Sequence, residues 1–171
     1  MKRCLAMAVA GALALSGCGS GDGQDVGEYA VRAHVTLTDG QEFDFAERCV
    51  VSSMDFEEKT YWGFEAKDMQ RVFGLVFTWE ESELGGPESF DLADSGLDVM
   101  IVRPHPTEPG TIRMSGAQAG SVTFSQVGYT PGDRLEGSFD GLRLDRDEPD
   151  DTVHIAVDDG SFCCRVAEEG S

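Results

Sequence analysis

YAVRAHVTLTDGQEFDF, Tyr29 to Phe45, is the stretch whose reading decides the fold. Tyr29, Val31, Ala33, Val35 and Leu37 alternate with Arg32, His34, Thr36 and Thr38. A period of two puts the first set on one side of an extended chain and the second on the other, the pattern of a half-buried strand. Asp39-Gly40 supplies the residues of a type I′ turn, and QEFDF returns with Phe43 and Phe45 again two apart. The stretch therefore predicts a β-hairpin.

The same signals recur along the chain. A short apolar piece at Cys49 to Ser53 precedes a charged link. Lys59 to Phe64 and Arg71 to Trp79 (RVFGLVFTW) read as further strands, and the second, apolar almost throughout, suits a central position. AKDMQRVF, Ala66 to Phe73, reads as a helical turn or two. Glu80 to Glu88 holds Gly85-Gly86-Pro87 and is expected to be a loop. Short apolar stretches follow at Phe90 and Leu92, Leu97 to Val102, and Thr111 to Met114. GSVTFSQVGY from Gly120, LEGSFDGLRL from Leu135 and TVHIAVDDGSFCCRV from Thr152 complete the set, the last with Asp159-Gly160 as an expected hairpin turn. Gly137, inside its strand, suggests a bulge or a close backbone approach. The sum predicts an all-β protein, a single antiparallel β-sandwich or open barrel of about eight to ten short strands.

The N-terminus reads differently. Lys2 and Arg3 precede the apolar run Leu5 to Leu15, the layout of a secretory signal peptide. A spanning helix needs about 20 apolar residues, so the run is too short for an anchor. Leu15-Ser16-Gly17-Cys18 resembles the lipobox of bacterial lipoproteins. That resemblance implies cleavage before Cys18, diacylglycerol on its sulfur and a further acyl chain on the new amine. Two or more acyl chains hold a protein on a membrane, where one does not. Gly19 rather than Asp after the cysteine implies export to the outer membrane of a Gram-negative envelope. Gly19 to Gly27 (GSGDGQDVG) lacks the apolar residues to fold and reads as a tether with a span of about 15–18 Å. The expected organisation is a signal peptide at 1–17, a lipidated cysteine and tether at 18–27, one domain at 28–167, and a tail at 168–171.

Losing residues 1–17 removes Lys2 and Arg3 and no acid, which takes the formal charge from −19 to −21. Such a field repels nucleic acid and anionic surfaces and speeds encounter with basic partners, besides keeping the protein soluble. Signal cleavage and lipidation leave Cys49, Cys163 and Cys164. Outside the cytoplasm thiols tend to pair. In a strand, Phe162, Cys164 and Val166 share one face and Cys163 and Arg165 the other. Cys49–Cys164 is the pairing expected, with Cys163 as the spare, while Cys49–Cys163 and a vicinal Cys163–Cys164 bridge compete.

Gly120-Ser121-Val122-Thr123-Phe124, Leu135-Glu136-Gly137-Ser138-Phe139, and Val153-His154-Ile155 with Asp159-Gly160-Ser161-Phe162 resemble a spaced pattern in small all-β bacterial lipoproteins: a GxVTI strand, a VxGTF strand and a closing VxIxNGxF hairpin. Ala33 to Leu37 with Asp39-Gly40-Gln41, and Ser89-Phe90-Asp91-Leu92, are similar to earlier steps of that pattern. The resemblance implies fold and address, and it carries no catalytic residues.

No nucleophile motif or metal-ligand spacing accompanies His34, His105 or His154. Asp145, Asp147 and Asp150 are the candidates for calcium, which wants six to eight oxygens, but their spacing is not that of an EF-hand loop and a solvated hairpin tip at Pro149 explains the run without an ion. Tyr61 and Trp62 are the candidates for a ligand-binding aromatic platform, and neighbours in a strand point opposite ways, so one of them faces outward. The sequence thus leads to a membrane-anchored, non-catalytic binding or structural module that needs no cofactor. An acidic inhibitor or adaptor of a basic protein such as a lysozyme-like enzyme is one alternative; a carbohydrate-binding or carbohydrate-active protein is another.

Overall fold

The computed structural model describes residues 28–104, 110, 112–148 and 151–167. Cys18, the tether, His105 and Asp150 lie outside the described residues. Among the described residues eleven strands run: β1 (Ala30–Thr36), β2 (Glu42–Arg48), β3 (Val50–Phe56), β4 (Lys59–Asp68), β5 (Phe73–Glu80), β6 (Glu88–Asp91), β7 (Asp98–Pro104), β8 (Ile112–Gly116), β9 (Ala119–Gln126), β10 (Arg134–Glu148) and β11 (Asp151–Val166). A 3₁₀ turn at Glu81–Glu83 is the one helical element among the described residues. The protein is all-β, as its alternation predicts.

The strands form one unclosed sheet that folds into two facing layers. The order β6-β9-β10-β11-β3-β4-β5-β7-β8 runs through it, with β1 and β2 attached to β11. β11 serves both layers: residues from Ala156 to Cys163 pair with β1, and Arg165 and Val166 pair with β3. The β3–β11 contact is parallel, the exception to the antiparallel ladder expected. The first layer is β6, β9, β10, β11, β1 and β2, and the second is β3, β4, β5, β7 and β8.

Aromatic rings bind the layers together. Phe77 of β5 lies 5.5 Å from Phe139 of β10 and 5.9 Å from Phe162 of β11. Phe45 of β2 meets Phe73 of β5 at 5.1 Å, and Trp79 meets Phe124 of β9 at 5.5 Å. Burying each such side chain stabilises the fold by about 1.5–3 kcal/mol. β5, the strand apolar enough to be central, has neighbours on both edges, and its Leu75 and Phe77 are fully buried.

Three local expectations change. Ala66 to Phe73 forms no helical turn: β4 continues to Asp68, and the chain reverses before β5. The Asp68 carboxylate accepts hydrogen bonds from the backbone N–H groups of Gln70 and Arg71 and from the Arg71 guanidinium. An aspartate that satisfies the backbone this way favours a turn over a helix. Burial pushes its carboxyl up, but the Arg71 and Gln70 bonds outweigh that and hold it below the usual carboxylate range. Asp159-Gly160 is no hairpin turn either. Gly160 pairs with Phe139 in mid-strand, and the register against β1 shifts between Arg32 and His34 where Asp159 has φ +44°. That is a β-bulge, which bends β11 so that one strand reaches both layers. Gly137 is a close approach as expected: an added Cβ would lie 2.2 Å from the Thr123 carbonyl oxygen and 2.4 Å from Phe162 Cζ.

Cys49 and Cys164 form a disulfide, with Cα atoms 5.2 Å apart, that ties the start of β3 to the end of β11. Cys163 is buried, with its sulfur beside the Glu136 carboxylate.

Candidate binding surface

The outer faces of the two layers differ in chemistry. On the first layer a charged row crosses four strands. His34 of β1 hydrogen-bonds Asp44 of β2 at 3.1 Å, and Asp158 of β11 pairs with Arg143 of β10 at 2.7 Å. The hydrogen bond to Asp44 raises the His34 pKa against a smaller opposing effect of burial, with further help from the charges of Asp44, Glu42 and Asp158. A second exposed pair, His154 with Asp145 at 3.0 Å, lies farther along. This is a solvated face.

The outer face of the second layer mixes charged residues on β4 with exposed apolar residues on β3. Parity puts Val50, Ser52, Met54 and Phe56 of β3 on that side, with Tyr61, Gly63 and Glu65 of β4 and Val76 and Thr78 of β5 beside them. Val50, Met54 and Phe56 are 55%, 65% and 57% exposed, and Met114 of β8 is 43% exposed. Single exposed apolar residues are ordinary, but three on one side of one strand, with Met54 and Phe56 two apart, are a feature of an interaction surface.

A shallow groove of about 790 Å³ runs over this face. Its floor is a row of small residues, Ser52, Gly63 and Thr78, each paired with the next. Val50 and Val76 flank it on one side, Met54 and Tyr61 on the other. Gly63 is required there: an added Cβ would sit 2.6 Å from the Phe77 carbonyl oxygen and 3.0 Å from Thr78 Cγ2. Methionine suits such a surface because its flexible thioether adapts to a partner's shape.

Acids crowd one end of the groove. The β3–β4 turn carries Glu57 and Glu58, with Asp55 just before it, and Glu80, Glu81 and Glu83 sit beside it at the end of β5. Lys59 is held by Glu80 at 2.6 Å, and Lys67 by Glu65 at 2.5 Å. The hydrogen bond between the first pair raises the Lys59 pKa and lowers that of Glu80. Lys59 is thus paired at the acidic end, while Arg48 lines the groove beside Val50.

Tyr61 lies on the outer face, in the groove wall. Trp62 turns the other way, packs on Tyr129 at 4.8 Å and donates its indole N–H to Glu81 at 2.9 Å. The two do not form one platform. Trp79 is core, and its indole N–H reaches the Tyr129 hydroxyl at 3.1 Å. Of the calcium candidates, Asp145 pairs with His154, only the strand backbone of Asp147 is described, and Asp150 lies outside the described residues. Among the described residues no group of three or more metal-ligating side chains converges.

Sequence reasoning missed the apolar row. It read a short apolar piece at Cys49 to Ser53 and left Met54 and Phe56 in the charged link that follows. The signal available was the spacing of Val50, Met54 and Phe56 on one parity. The chain matches no protein-family model, no curated protein and no solved structure.

Proposed function

We propose that this chain is a bacterial envelope lipoprotein, anchored through lipid on Cys18 in the outer membrane, whose β domain is a non-catalytic binding module. The observation that carries the binding half is the row of exposed apolar residues on β3, Val50, Met54 and Phe56, set against a charged outer face on the first layer. A face kept only for solubility would be polar on both layers, as antiparallel sheets with one wet side are. The anchoring half rests on the order of charge, apolar run, small pair and cysteine at residues 2–18, and on the resemblance of the strand motifs to small lipoproteins. The acids at one end of the groove favour a basic protein as partner, the inhibitor or adaptor reading. The carbohydrate reading is weaker, since Trp62 faces away from Tyr61.

Two assays on the full chain test this. Metabolic labelling with palmitate should mark the wild type and not Cys18→Ser, which should leave the membrane fraction; a membrane-bound Cys18→Ser would refute the anchor. The full chain, immobilised in detergent, should retain basic envelope proteins that elute with salt and that Met54→Asp fails to retain. Equal retention by Met54→Asp would remove the apolar row from the function.

A further inference from the structure

We propose that the partner docks by strand addition: an extended segment of alternating apolar and basic residues pairs with the free edge of β3. This rests on the binding reading above and names the mode and chemistry of the occupant. β3 pairs with β4 along its whole length from Val50 to Phe56. On its other edge, among the described residues, only Arg165 and Val166 pair with it, opposite Val50 and Val51, and Ala167 N–H donates to the Val51 carbonyl at 2.9 Å. That bond shows which backbone groups face the free edge. In a strand a residue's N–H and C=O point the same way and alternate along the chain. Val51 points to the β11 side, so Ser53 and Asp55 present their N–H and C=O groups there as well. No described residue meets them.

Proteins blunt exposed edges with lysine, proline, bulges or very short strands. Here the edge reads Ser52, Ser53, Met54, Asp55, Phe56 and has neither lysine nor proline, with Asp55 as its one charge. Among the described residues nothing pairs with it beyond Val51, and its side chains carry a code. Met54 and Phe56 present apolar surface on the groove side, while Asp55 projects to the opposite face and Glu57 and Glu58 close the end. A strand laid beside them with period two puts apolar residues next to Met54 and Phe56 and a basic residue next to Asp55. Main-chain hydrogen bonds supply affinity in this mode and the alternate side chains supply specificity.

Other occupants fit less well. A bilayer with anionic headgroups is repelled by Asp55, Glu57 and Glu58. A second copy brings its own strongly negative charge against this one. The chain's own tail, Glu168-Glu169-Gly170-Ser171, is acidic and has nothing basic to set against Asp55.

The test uses the full chain in detergent and a fluorescent peptide of alternating lysine and valine, read by anisotropy. Ser53→Pro removes one donor from the free edge and leaves the β4 ladder intact, a substitution edge strands tolerate. The proposal expects binding by the wild type, a loss on the order of tenfold or more in Ser53→Pro at unchanged melting temperature, and no binding of a peptide with its lysines and valines in two blocks. A wild type that binds neither peptide overturns it. So does binding that survives Ser53→Pro and is lost in Met54→Asp; the face would then remain a docking surface and only the strand addition would fail. A dimer that Ser53→Pro dissociates assigns the edge to a second copy. Peptide binding that appears only after residues 168–171 are deleted assigns it to the tail, and either result overturns the proposal.

Discussion

Gly160→Ala is expected to destabilise the domain by about 3 kcal/mol through one neighbour, the Phe139 ring. Phe139 of β10 stands directly opposite Gly160 of β11 and lays its ring across it. A Cβ added at Gly160 would sit 1.8 Å from Phe139 Cε2 and 2.0 Å from Cζ. Non-bonded carbons settle at about 3.5–4.0 Å, so the ring would have to move by about 2 Å. It has nowhere to go: Phe139 is 2% exposed and packs on Phe77 at 5.5 Å. Overpacking of this kind costs about 1–3 kcal/mol, and a ring locked on its far side belongs at the upper end. Phe139→Ala alone should cost about 3–5 kcal/mol through the cavity it leaves. In the double variant the new methyl enters that cavity, so the loss should fall short of the sum by about 2–3 kcal/mol. Urea unfolding followed by tryptophan fluorescence reads all three, since Trp79 is buried in the same core. A Gly160→Ala variant within about 0.5 kcal/mol of wild type, or simple additivity in the double variant, would refute the reasoning.

Three further predictions follow from other parts of the molecule. Cys49→Ala with Cys164→Ala opens a cross-link across 115 residues of sequence, and the chain-entropy model puts the loss at about 5 kcal/mol; a fall in urea stability below about 1 kcal/mol would count against it. Glu57 and Glu58 hold φ +49° and +68°, a conformation that costs an L-residue roughly 1–2 kcal/mol, so Glu57→Asn with Glu58→Gly should raise stability by about that much, and an unchanged urea midpoint would contradict the turn. The His34 ring, titrated by NMR, should show a midpoint above 6.5 that falls toward that value in Asp44→Asn. Because the folded state binds this proton more tightly, the stability it contributes is fully present below the unfolded pKa and fades as pH rises through the raised folded value. Identical titrations of wild type and Asp44→Asn would exclude the hydrogen bond as the cause.

Much of the fold was legible in the residues because strand alternation is a local property. Tyr29 to Phe45 reports a hairpin without reference to anything else, and the parity of Phe162, Cys164 and Val166 was enough to favour Cys164 over Cys163 as the partner of Cys49. The apolar run of β5 likewise implied a strand with neighbours on both sides. The candidate surface was not legible, and the reason is specific. Its two most exposed apolar residues, Met54 and Phe56, stand in a hairpin whose turn is Glu57-Glu58, a pair with no preference of its own for positive φ. Only pairing of β3 with β4 over its whole length holds that turn, and such pairing cannot be read from either strand alone.

The sequence by itself determined what each segment is: extended, alternating, and apolar on one side, because side-chain period and turn residues act within a few positions along the chain. Tertiary structure decided what each segment is beside. Asp159-Gly160 has the composition of a turn and forms a bulge, because β11 must bend to pair with β1 along its middle and with β3 at its end. Ala66 to Phe73 has helical spacing and forms a turn, because Asp68 finds three donors there and β5 must return to β4. The parallel pairing of β11 with β3 at Val50 and Val51 arises the same way, and which edge of a strand meets which neighbour is set by the packing of the whole sheet.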